Sequence, residues 1–388
     1  MNHPRSEPSP ALLVIGSGDR DYRGYALQAL AKQCRVILID STVPTWQRPY
    51  IAGHLVADLR DQEAVLAAAE TASANFRVEG VLTWHEFAAV HAATTARGLG
   101  VPGSEPAGVR ACRNKAAARA IFDAHGVASA RWAPVSDLAD VRIAAHDLGY
   151  PFVLKPASAA GSAGVIRIDR PADLHEALAF AAAAAAGQSQ EAQGMLAEEY
   201  LDGPEVSVEV VSHQGHHTTV AVTRKQLGAP PYFEETGHLV SPALDGPETD
   251  EAAHVATQAL DALDITHGIS HVELRLTRSG PRIVEVNPRL GGDLIPHLVN
   301  LATGIDLIRA AADLALGRVP DVRPKRHASA AIGFLYPTSA GQLRSLTVDP
   351  SLAAHTWCER AVLEQQPGAS VAPPPGSGLD SRLAPTSW

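Results

Sequence analysis

The sequence predicts a protein of mixed α/β and α+β class, in which a parallel sheet covered by helices is followed by a region of mixed strands and helices. Over residues 11–84, short apolar runs alternate with helical segments, which is the pattern of a parallel sheet with helices on its faces. In residues 195–211 and 271–287, by contrast, strand-like runs are separated only by turn residues. A chain of 388 residues exceeds what one hydrophobic core usually serves, so we expect two or three packed subdomains.

The first region, residues 11–103, is interpreted as a Rossmann-like domain that serves as scaffold or substrate wall. Its predicted elements are the strand 11–16, a helix around 25–33, the strands 35–40 and 54–58, a helix around 62–72 and the strand 78–84. The turn Gly16-Ser17-Gly18 resembles the start of a dinucleotide-binding fingerprint, but Asp21 stands where the third glycine should be. NAD binding is therefore the less favoured interpretation. Residues 1–10 are polar and proline-rich, and we expect them to be flexible.

Pro102-Gly103 marks the boundary to a second region, residues 104–322. Its predicted helices cover about 113–125, 138–148, 169–187, 251–263 and 306–316, and its predicted strands cover 151–156, 165–168, 195–201, 205–211 and a hairpin from His271. The segment 212–250 is rich in turn residues. Residues 323–388 form a short C-terminal segment with one strand at 327–336 and a proline-rich tail, which we expect to be irregular and loosely attached.

Charge and cysteine content argue against several classes of function. The net charge of −10 argues against general binding to nucleic acid or to acidic membranes. The three cysteines show no metal-ligand spacing, and their scarcity predicts a reducing, cytoplasmic setting. The apolar run 181–186 is too short to span a bilayer.

The hairpin that begins at His271 carries the strongest chemical signal. Side chains alternate along a strand, so Glu285 and Asn287 point the same way, and a turn centred on Ser279 places Glu273 opposite Glu285. Facing carboxylates destabilise a strand pair unless a cation compensates them, and carboxylate and amide oxygens suit Mg²⁺. The alternative is an ordinary hairpin with solvated acidic residues.

Three further features suggest a site for a nucleoside triphosphate. Lys115 lies on a helix and Lys155 near the end of an apolar strand, where an ammonium group is costly unless it meets an anion. The loop 158–164 contains only Gly, Ala and Ser, so its N–H groups could approach phosphate oxygens, although it is not a Walker loop. The stretch AEEYLDGPE, residues 197–205, could bind adenine through its backbone and ribose through Glu205. Each feature taken singly has an alternative: the lysines could snorkel to solvent, the loop could be a flexible turn, and the acids of 197–205 could be exposed.

In this order, the motifs RNKAAAR, VLKP, the small-residue loop, EEYLDGPE and EVNPR resemble the ATP-grasp superfamily. The resemblance implies two α+β subdomains that hold ATP between them, with a lid at about residues 130–200. It further implies the following roles: phosphate contacts by Lys115 and Lys155; a phosphate-covering loop with Ser158, Gly161, Ser162 and Gly164; adenine binding by Glu198, Glu199, Tyr200 and Leu201; ribose binding by Glu205; and Mg²⁺, or alternatively Mn²⁺, on Glu273, Glu285 and Asn287.

Within the superfamily, the segments FEETGH (233–238), HVELRLT (271–277) and 287–307 resemble the bacilysin-type L-amino-acid ligases and carnosine synthase-like enzymes. This resemblance implies that His238 and Arg289 face an acyl phosphate and the first substrate, and that Gly291 and Gly292 let a substrate backbone come close. The expected activity is ATP-dependent ligation of a carboxylate to an amine, with small-molecule substrates. Activation of bicarbonate or another small acid, and non-catalytic ATP binding, are the alternatives.

Several points stay open at the level of sequence. His238 could instead be a surface-loop histidine, and His213, His216 and His217 are interpreted as an exposed cluster without zinc-ligand spacing. For Arg224 and Lys225, a solvated strand end is favoured over contact with a γ-phosphate. A homodimer through the last helix and the N-terminal sheet is an open alternative. The resemblance implies an ordered C-terminal lobe, which the proline-rich tail does not suggest, so the outer wall of the substrate pocket is undefined.

Overall fold

The computed structural model describes residues 10–186, 194–375 and 382–387, so the N-terminus that was expected to be flexible lies almost wholly outside the described residues. The strands are β1 Ala11–Ile15, β2 Arg35–Asp40, β3 Gly53–Val56, β4 Val78–Leu82, β5 Trp132–Val135, β6 Phe152–Pro156, β7 Ile166–Ile168, β8 Met195–Glu199, β9 Glu205–His213, β10 His216–Leu227, β11 Glu235–Val240, β12 Gly268–Thr277, β13 Gly280–Asn287, β14 Ala330–Leu335, β15 Gly341–Gln342, β16 Arg360–Ala361, β17 Ser370–Val371 and β18 Ala384–Ser387. The helices are α1 Arg20–Ala31, α2 Gln62–Asn75, α3 Ala89–Leu99, α4 Pro106–Cys112, α5 Lys115–His125, α6 Leu138–Leu148, α7 Leu174–Ala186, α8 Pro247–Ala262, α9 Ile295–Thr303 and α10 Leu307–Ala315.

The N-terminal region forms the predicted parallel sheet, with strand order β3-β2-β1-β4. Strands β1 and β2 are apolar on both faces because helices cover both, and all five residues of β1 are buried. Side-chain caps fix where two of the helices begin: Asp19 accepts from the N–H of Asp21 before α1, and Asp61 caps α2.

A small antiparallel sheet of order β5-β8-β6-β7 forms a separate layer within the region predicted as the lid. Helices α6 and α7 pack on this sheet through a compact apolar cluster that includes Val141, Phe152 and Ala181. Lys155 and Glu198 both lie on its strands, so this layer carries two of the predicted nucleotide-binding residues.

The largest sheet has eight antiparallel strands in the order β13-β12-β9-β10-β11-β14-β18-β16. Its valine-rich strand β9 packs against α8, and Val206, Val208 and Val210 are fully buried there. Complete burial of each such side chain stabilises the fold by about 1.5–3 kcal/mol. This sheet holds the predicted metal hairpin β12–β13.

Two regions are more ordered than the sequence suggested. Residues 212–250, which read as turn-rich, contain the long strand β10 and the strand β11. The expectation of a loosely attached tail is wrong for residues 382–387, because β18 pairs with both β14 and β16. Strand β18 is short and begins with Ala384-Pro385, so it depends on the hydrogen bonds of its neighbours, whereas β10 contains the β-branched run 218–223, a strand signal that the turn-rich flanks obscured. No helix in the described part of the chain is long and apolar enough to cross a bilayer.

The N-terminal sheet packs directly against α10 because Gly80 on β4 has no side chain. A Cβ at Gly80 would lie 2.3 Å from the carbonyl oxygen of Ala315 at the end of α10. Gly108 on α4 makes a similar approach, since a Cβ there would lie 2.3 Å from the carbonyl oxygen of Leu263. At both glycines the neighbouring atoms belong to the backbone, which cannot move aside as a flexible side chain could.

We expect Gly80→Ala to destabilise the protein by about 1–3 kcal/mol or more, because the added methyl group meets backbone rather than a flexible side chain. Denaturant unfolding of the full chain measures this change. Gly98→Ala is the matched control, since a Cβ at this helical glycine meets nothing within 4 Å and should stabilise by about 0.5–1 kcal/mol. Equal stability of the two variants would contradict the packing described here.

Candidate active site

The hairpin β12–β13 brings the predicted metal carboxylates together. In its register Glu273 lies opposite Glu285, as predicted, and His271 lies opposite Asn287. Each carboxylate meets a lysine: Lys115 Nζ is 3.1 Å from Glu285 Oε1, and Lys225 Nζ is 3.0 Å from Glu273 Oε2. Two ammonium groups from other elements thus offset the repulsion between the facing acids.

The donor set fits a hard divalent cation. Burial would raise the pKa of Glu273, but Lys225 and His271 hold that pKa well below its ordinary value, so the carboxylate is ionised. Asn287 is buried, and its amide nitrogen is best assigned facing Glu86, 3.3 Å from each carboxylate oxygen, which turns its oxygen the other way. Ionised carboxylates with an amide oxygen beside them are the ligand type that Mg²⁺ prefers.

A second layer of charge lies behind Glu273. His271 Nδ1 is 2.6 Å from Glu209 Oε1, and His271 Nε2 is 3.1 Å from Glu273 Oε1. Burial would lower the pKa of His271, but Glu209 and then Glu273 raise it to about 10, so the ring is an imidazolium. This cation holds the Glu273 carboxylate in one orientation, a role that outer-shell partners of metal ligands commonly have.

The two predicted phosphate lysines come from different layers and converge. Asn114 caps α5 and so places Lys115 in its first turn, where Nζ also donates to the carbonyl of Ala159, 2.8 Å away. Lys155 on β6 is buried, and its Nζ lies 2.7 Å from Glu198 Oε2. Burial lowers the pKa of Lys155, with Glu198 acting in the opposite direction. Both ammonium groups therefore point inward rather than snorkelling to solvent.

The small-residue loop turns sharply beside these lysines. Gly161, Ser162 and Gly164 all have positive φ, at 63°, 57° and 73°. A Cβ at Gly164 would lie 2.5 Å from the Cβ of Ala184, so the loop packs tightly on α7. Ser158 is buried at the base of the loop, and its carbonyl accepts a hydrogen bond from Arg113 Nη2 at 3.3 Å.

A first cavity, of about 110 Å³, lies between the lid layer and the large sheet. Its lining includes most of the residues predicted to bind ATP and metal, namely Lys115, Lys155, Gly161, Ser162, Glu198, Glu199, Tyr200, Leu201, Glu205, Glu273 and Glu285. Not all of their side chains face a nucleotide, however. The Glu198 carboxylate is bound by Arg119 and Lys155, and that of Glu199 accepts from Arg131 Nε at 2.9 Å. Adenine contacts at this strand end would therefore be made by backbone groups.

Lys225 was missed at the level of sequence, and its interpretation as a solvated strand end is wrong. Its side chain is buried, with Nζ 3.1 Å from Glu205, 2.8 Å from Glu235 and 3.0 Å from Glu273. Burial would lower its pKa, but these three carboxylates raise the pKa well above the ordinary value. In the register of β10, Lys225 lies opposite both Glu205 on β9 and His238 on β11. The β-branched run 218–223 could have indicated a strand that ends near Lys225, but the acids that Lys225 meets depend on the pairing of β10 with β9 and β11. Glu205 also accepts from Arg275 Nε at 2.8 Å.

A second cavity, of about 430 Å³, adjoins the first and shares Gly161, Ser162, Ala163, Glu235 and Glu273 with it. Arg289 and Gly292 line its wall, and an added Cβ at Gly292 would meet no atom within 4 Å. Gly291 is different: its Cβ would lie 3.1 Å from His271 Nδ1, so protein packing already requires this glycine. Arg289 is held by the carboxylate of Glu86, which also pairs with Arg113. Glu86 belongs to the N-terminal region and was not predicted as part of the site.

His238 is buried beside Glu235 and Asp293, so the alternative of a surface-loop histidine is wrong, although its side chain is not among those that line the second cavity. Its Nε2 is 3.1 Å from Glu235 Oε2 and 3.5 Å from Asp293 Oδ2. Asp293 is in turn bound by both amino groups of Arg382, at 2.6 and 2.8 Å. Burial would lower the pKa of His238, but Asp293 and Glu235 raise it above the ordinary value.

We therefore expect the ring of His238 to lose its proton above about pH 6.5, the ordinary histidine value. A raised folded-state pKa means that the ion pairs contribute their full stability below that pH and lose it as pH rises through the raised pKa. Nitrogen chemical shifts of the ring followed against pH measure the titration. Asp293→Asn should lower the pKa by removing one carboxylate, and a wild-type midpoint at or below 6.5 would contradict the assignment.

Comparison with known proteins agrees with this geometry. Residues 148–297 match the ATP-grasp domain family. The y4rH protein of Sinorhizobium fredii, itself uncharacterised, is 28% identical over 367 residues, covering 93% of this chain and 75% of the relative. Human carnosine synthase 1 is 26% identical over 329 residues, 80% of this chain and 40% of the relative. The alanine–anticapsin ligase of Bacillus amyloliquefaciens is 26% identical over 269 residues, 64% of this chain and 56% of the relative. The chain thus spans only about half the length of these two named enzymes.

Solved structures share the fold over almost the whole chain. An L-amino acid ligase from Bacillus licheniformis superposes with a TM-score of 0.83 at 23% identity, covering 98% of this chain and 93% of that one. A 2-oxoglutarate carboxylase biotin carboxylase domain from Hydrogenobacter thermophilus, solved with MgADP, ADP and bicarbonate, gives 0.73 at 14% identity, with 98% and 86% covered. The chain therefore contains a match to the ATP-grasp domain family at residues 148–297, and its overall fold is that of these solved structures.

Proposed function

We propose that this protein is an ATP-dependent carboxylate–amine ligase, which forms an amide or peptide bond through an acyl phosphate and releases ADP and phosphate. One observation carries the proposal: the two cavities meet at Glu273. A carboxylate bound in the second cavity would thus lie beside the end of a triphosphate bound in the first. The names of the two characterised relatives describe enzymes that act on amino acids, which supports an amino acid as the carboxylate substrate.

Most of the predicted ATP-binding residues line the first cavity, which supports this arrangement. Lys115 and Lys155 would bind phosphate oxygens, the backbone of residues 199–201 would bind adenine, and Glu205 would accept from ribose hydroxyls. Glu273, Glu285 and Asn287 would hold Mg²⁺, and the bound metal would neutralise negative charge on the transferred phosphoryl group. Lys225 already connects Glu205, Glu235 and Glu273, so it links the ribose, metal and substrate sides of the site.

The chemistry needs positioning and charge more than a nucleophilic side chain. A carboxylate oxygen of the first substrate attacks the γ-phosphorus, and the bond to the ADP oxygen breaks. The amine of the second substrate then attacks the acyl carbon, the bond to phosphate breaks, and the amine gives up a proton. Arg289, which lines the second cavity, would stabilise negative charge on the acyl phosphate, and His238 would contribute from behind the wall that Glu235 and Asp293 form. The loop with Gly161, Ser162 and Gly164 would keep water from this intermediate.

We expect ADP formation from Mg²⁺-ATP to depend on a pair of amino acids, and the product mass to equal their sum less one water. Single amino acids and pairs are screened by coupled ADP assay and mass spectrometry. Stimulation by bicarbonate alone would instead support a carboxylating enzyme. Tight ATP binding without stimulated turnover would support a non-catalytic module.

Glu285→Gln should lower turnover by at least about 100-fold, because it removes a charge that would face the metal and the transferred group. The exposed Glu63→Gln on α2 is the matched control and should leave turnover unchanged. Thermal unfolding of both variants verifies the fold. Full activity of Glu285→Gln at ordinary Mg²⁺ would refute the metal assignment.

His271→Asn should raise the Mg²⁺ concentration needed for half-maximal turnover by about 10–100-fold, because Glu273 loses the imidazolium that orients it. Turnover should recover at high Mg²⁺, which a collapsed site would not allow. His217→Asn, in the same sheet but bonded to Ser212 and Asp261, is the control. An unchanged Mg²⁺ requirement in His271→Asn would contradict this role.

A further inference from the structure

The second cavity is lined by two chemically different groups of residues. One group is charged and includes Glu273 and Arg289, whereas the other comes from the lid helix α7 and from residues that follow β13. Helix α7 contributes Phe180, Ala183 and Ala184, and the second wall contributes Ile295, Tyr336 and Pro375. These six side chains form an apolar and partly aromatic surface.

Both aromatic walls are held in place by their own contacts. The hydroxyl of Tyr336 donates to the carbonyl of Glu235 at 3.0 Å and accepts from Arg382 Nε at 2.9 Å. Arg382 is itself fixed by Asp293 and lies over the ring of Phe334, 3.8 Å from its centroid. On the opposite side, the ring of Phe180 packs against Tyr232 with centroids 5.4 Å apart. The space between α7 and Tyr336, called the slot, is therefore lined by aromatic side chains that contacts outside the cavity hold in place.

Most of the carboxylates in the cavity lining already pair with cations that lie behind them. Lys225 pairs with Glu235 and Glu273, and Arg382 pairs with Asp293. Glu234 also lines the cavity and forms no ion pair within the described residues, so it suits a ligand that brings its own ammonium group. The volume of about 430 Å³ corresponds to roughly fourteen water molecules at about 30 Å³ each, which leaves room for a large side chain beside a phosphoryl group.

We propose that the carboxylate substrate is an α-amino acid with a large apolar side chain, which lies in the slot between α7 and Tyr336. The ammonium group lies toward Glu234, and the reacting carboxylate lies toward Arg289. This proposal rests on the proposed function and specifies its first substrate. Phe180 and Ala183 are the residues that set the size of the side chain the slot accepts.

The test measures kcat/KM for ADP formation over a donor series of glycine, alanine, leucine, methionine, phenylalanine, aspartate and lysine, with one amine partner held constant. Fragmentation of the product by mass spectrometry shows which amino acid gave its carboxylate. Leucine, methionine or phenylalanine should exceed glycine, alanine, aspartate and lysine by at least about 10-fold, since one methylene in an apolar pocket changes the rate about 10–200-fold. A donor preference for glycine, aspartate or lysine would overturn the proposal.

Two variants locate the slot. Ala183→Phe should fill it and lower kcat/KM for leucine and phenylalanine at least about 10-fold relative to alanine, with KM for ATP unchanged. Ala183 is exposed on the helix, so this change leaves the lid core intact. Phe180→Ala should weaken the preference for large donors. Ala179→Phe, on α7 but outside the cavity lining, is the control and should leave the ranking as in the wild type. If Ala183→Phe ranks the donor amino acids as the wild type does, the donor side chain does not lie in the slot.

A binding measurement separates this proposal from the proposed ligase activity. Calorimetry with L-leucine or glycine is performed in the presence of Mg²⁺ and a β,γ-non-hydrolysable ATP analogue. If leucine binds to the wild type and not to Ala183→Phe, the slot is supported. If no amino-acid pair stimulates turnover in that case, only the proposed ligase activity is refuted. Turnover with amino-acid pairs, together with equal binding of glycine and leucine, would support the ligase activity and refute the slot.

Discussion

The arrangement of the whole site depends on one electrostatic constraint, the carboxylates of Glu273 and Glu285 that face each other on adjacent strands. Like charges placed opposite each other repel, and each carboxylate pairs with an ammonium group from a different part of the fold. Lys115 comes from the helix α5 that leads to the lid layer, and Lys225 comes from the centre of the large sheet. The need to neutralise two carboxylates thus draws the N-terminal end of a helix and an interior strand to the same point.

Further ion pairs extend from these two carboxylates. His271 lies between Glu273 and Glu209 in the sheet, and Lys225 also pairs with Glu205 and Glu235. Buried charge pairs contribute little net stability on average, since desolvation offsets most of their attraction. We interpret this network as a means of fixing carboxylate orientation. Such fixed charge can act on a developing transition state without reorganising first.

Sequence reasoning predicted contacts between residues close in the chain better than contacts between distant residues. The facing of Glu273 and Glu285 depends on a local hairpin, and sequence reasoning predicted this pairing. The turn lies at Arg278-Ser279 rather than centred on Ser279, and a register shift between Glu273 and Leu274 brings the two acids opposite each other. Lys225 and Glu86 were beyond reach because their partners are distant: Lys225 meets acids from three other strands, and Glu86 meets Arg289, which lies 203 residues away. The tail was misjudged for a related reason. A proline-rich segment has little intrinsic preference for a strand, yet β18 gains its hydrogen bonds from β14 and β16.

Glu86 has a consequence for how this architecture can be recombined. One carboxylate of the N-terminal domain binds both Arg113 and Arg289, and it also faces the Asn287 amide. A chimera that borrows its first hundred residues from another protein would remove the carboxylate that binds both Arg113 and Arg289, unless the donor supplies an acid at the same place. The N-terminal domain of this chain can therefore be exchanged without loss of these ion pairs only where the donor carries that acid.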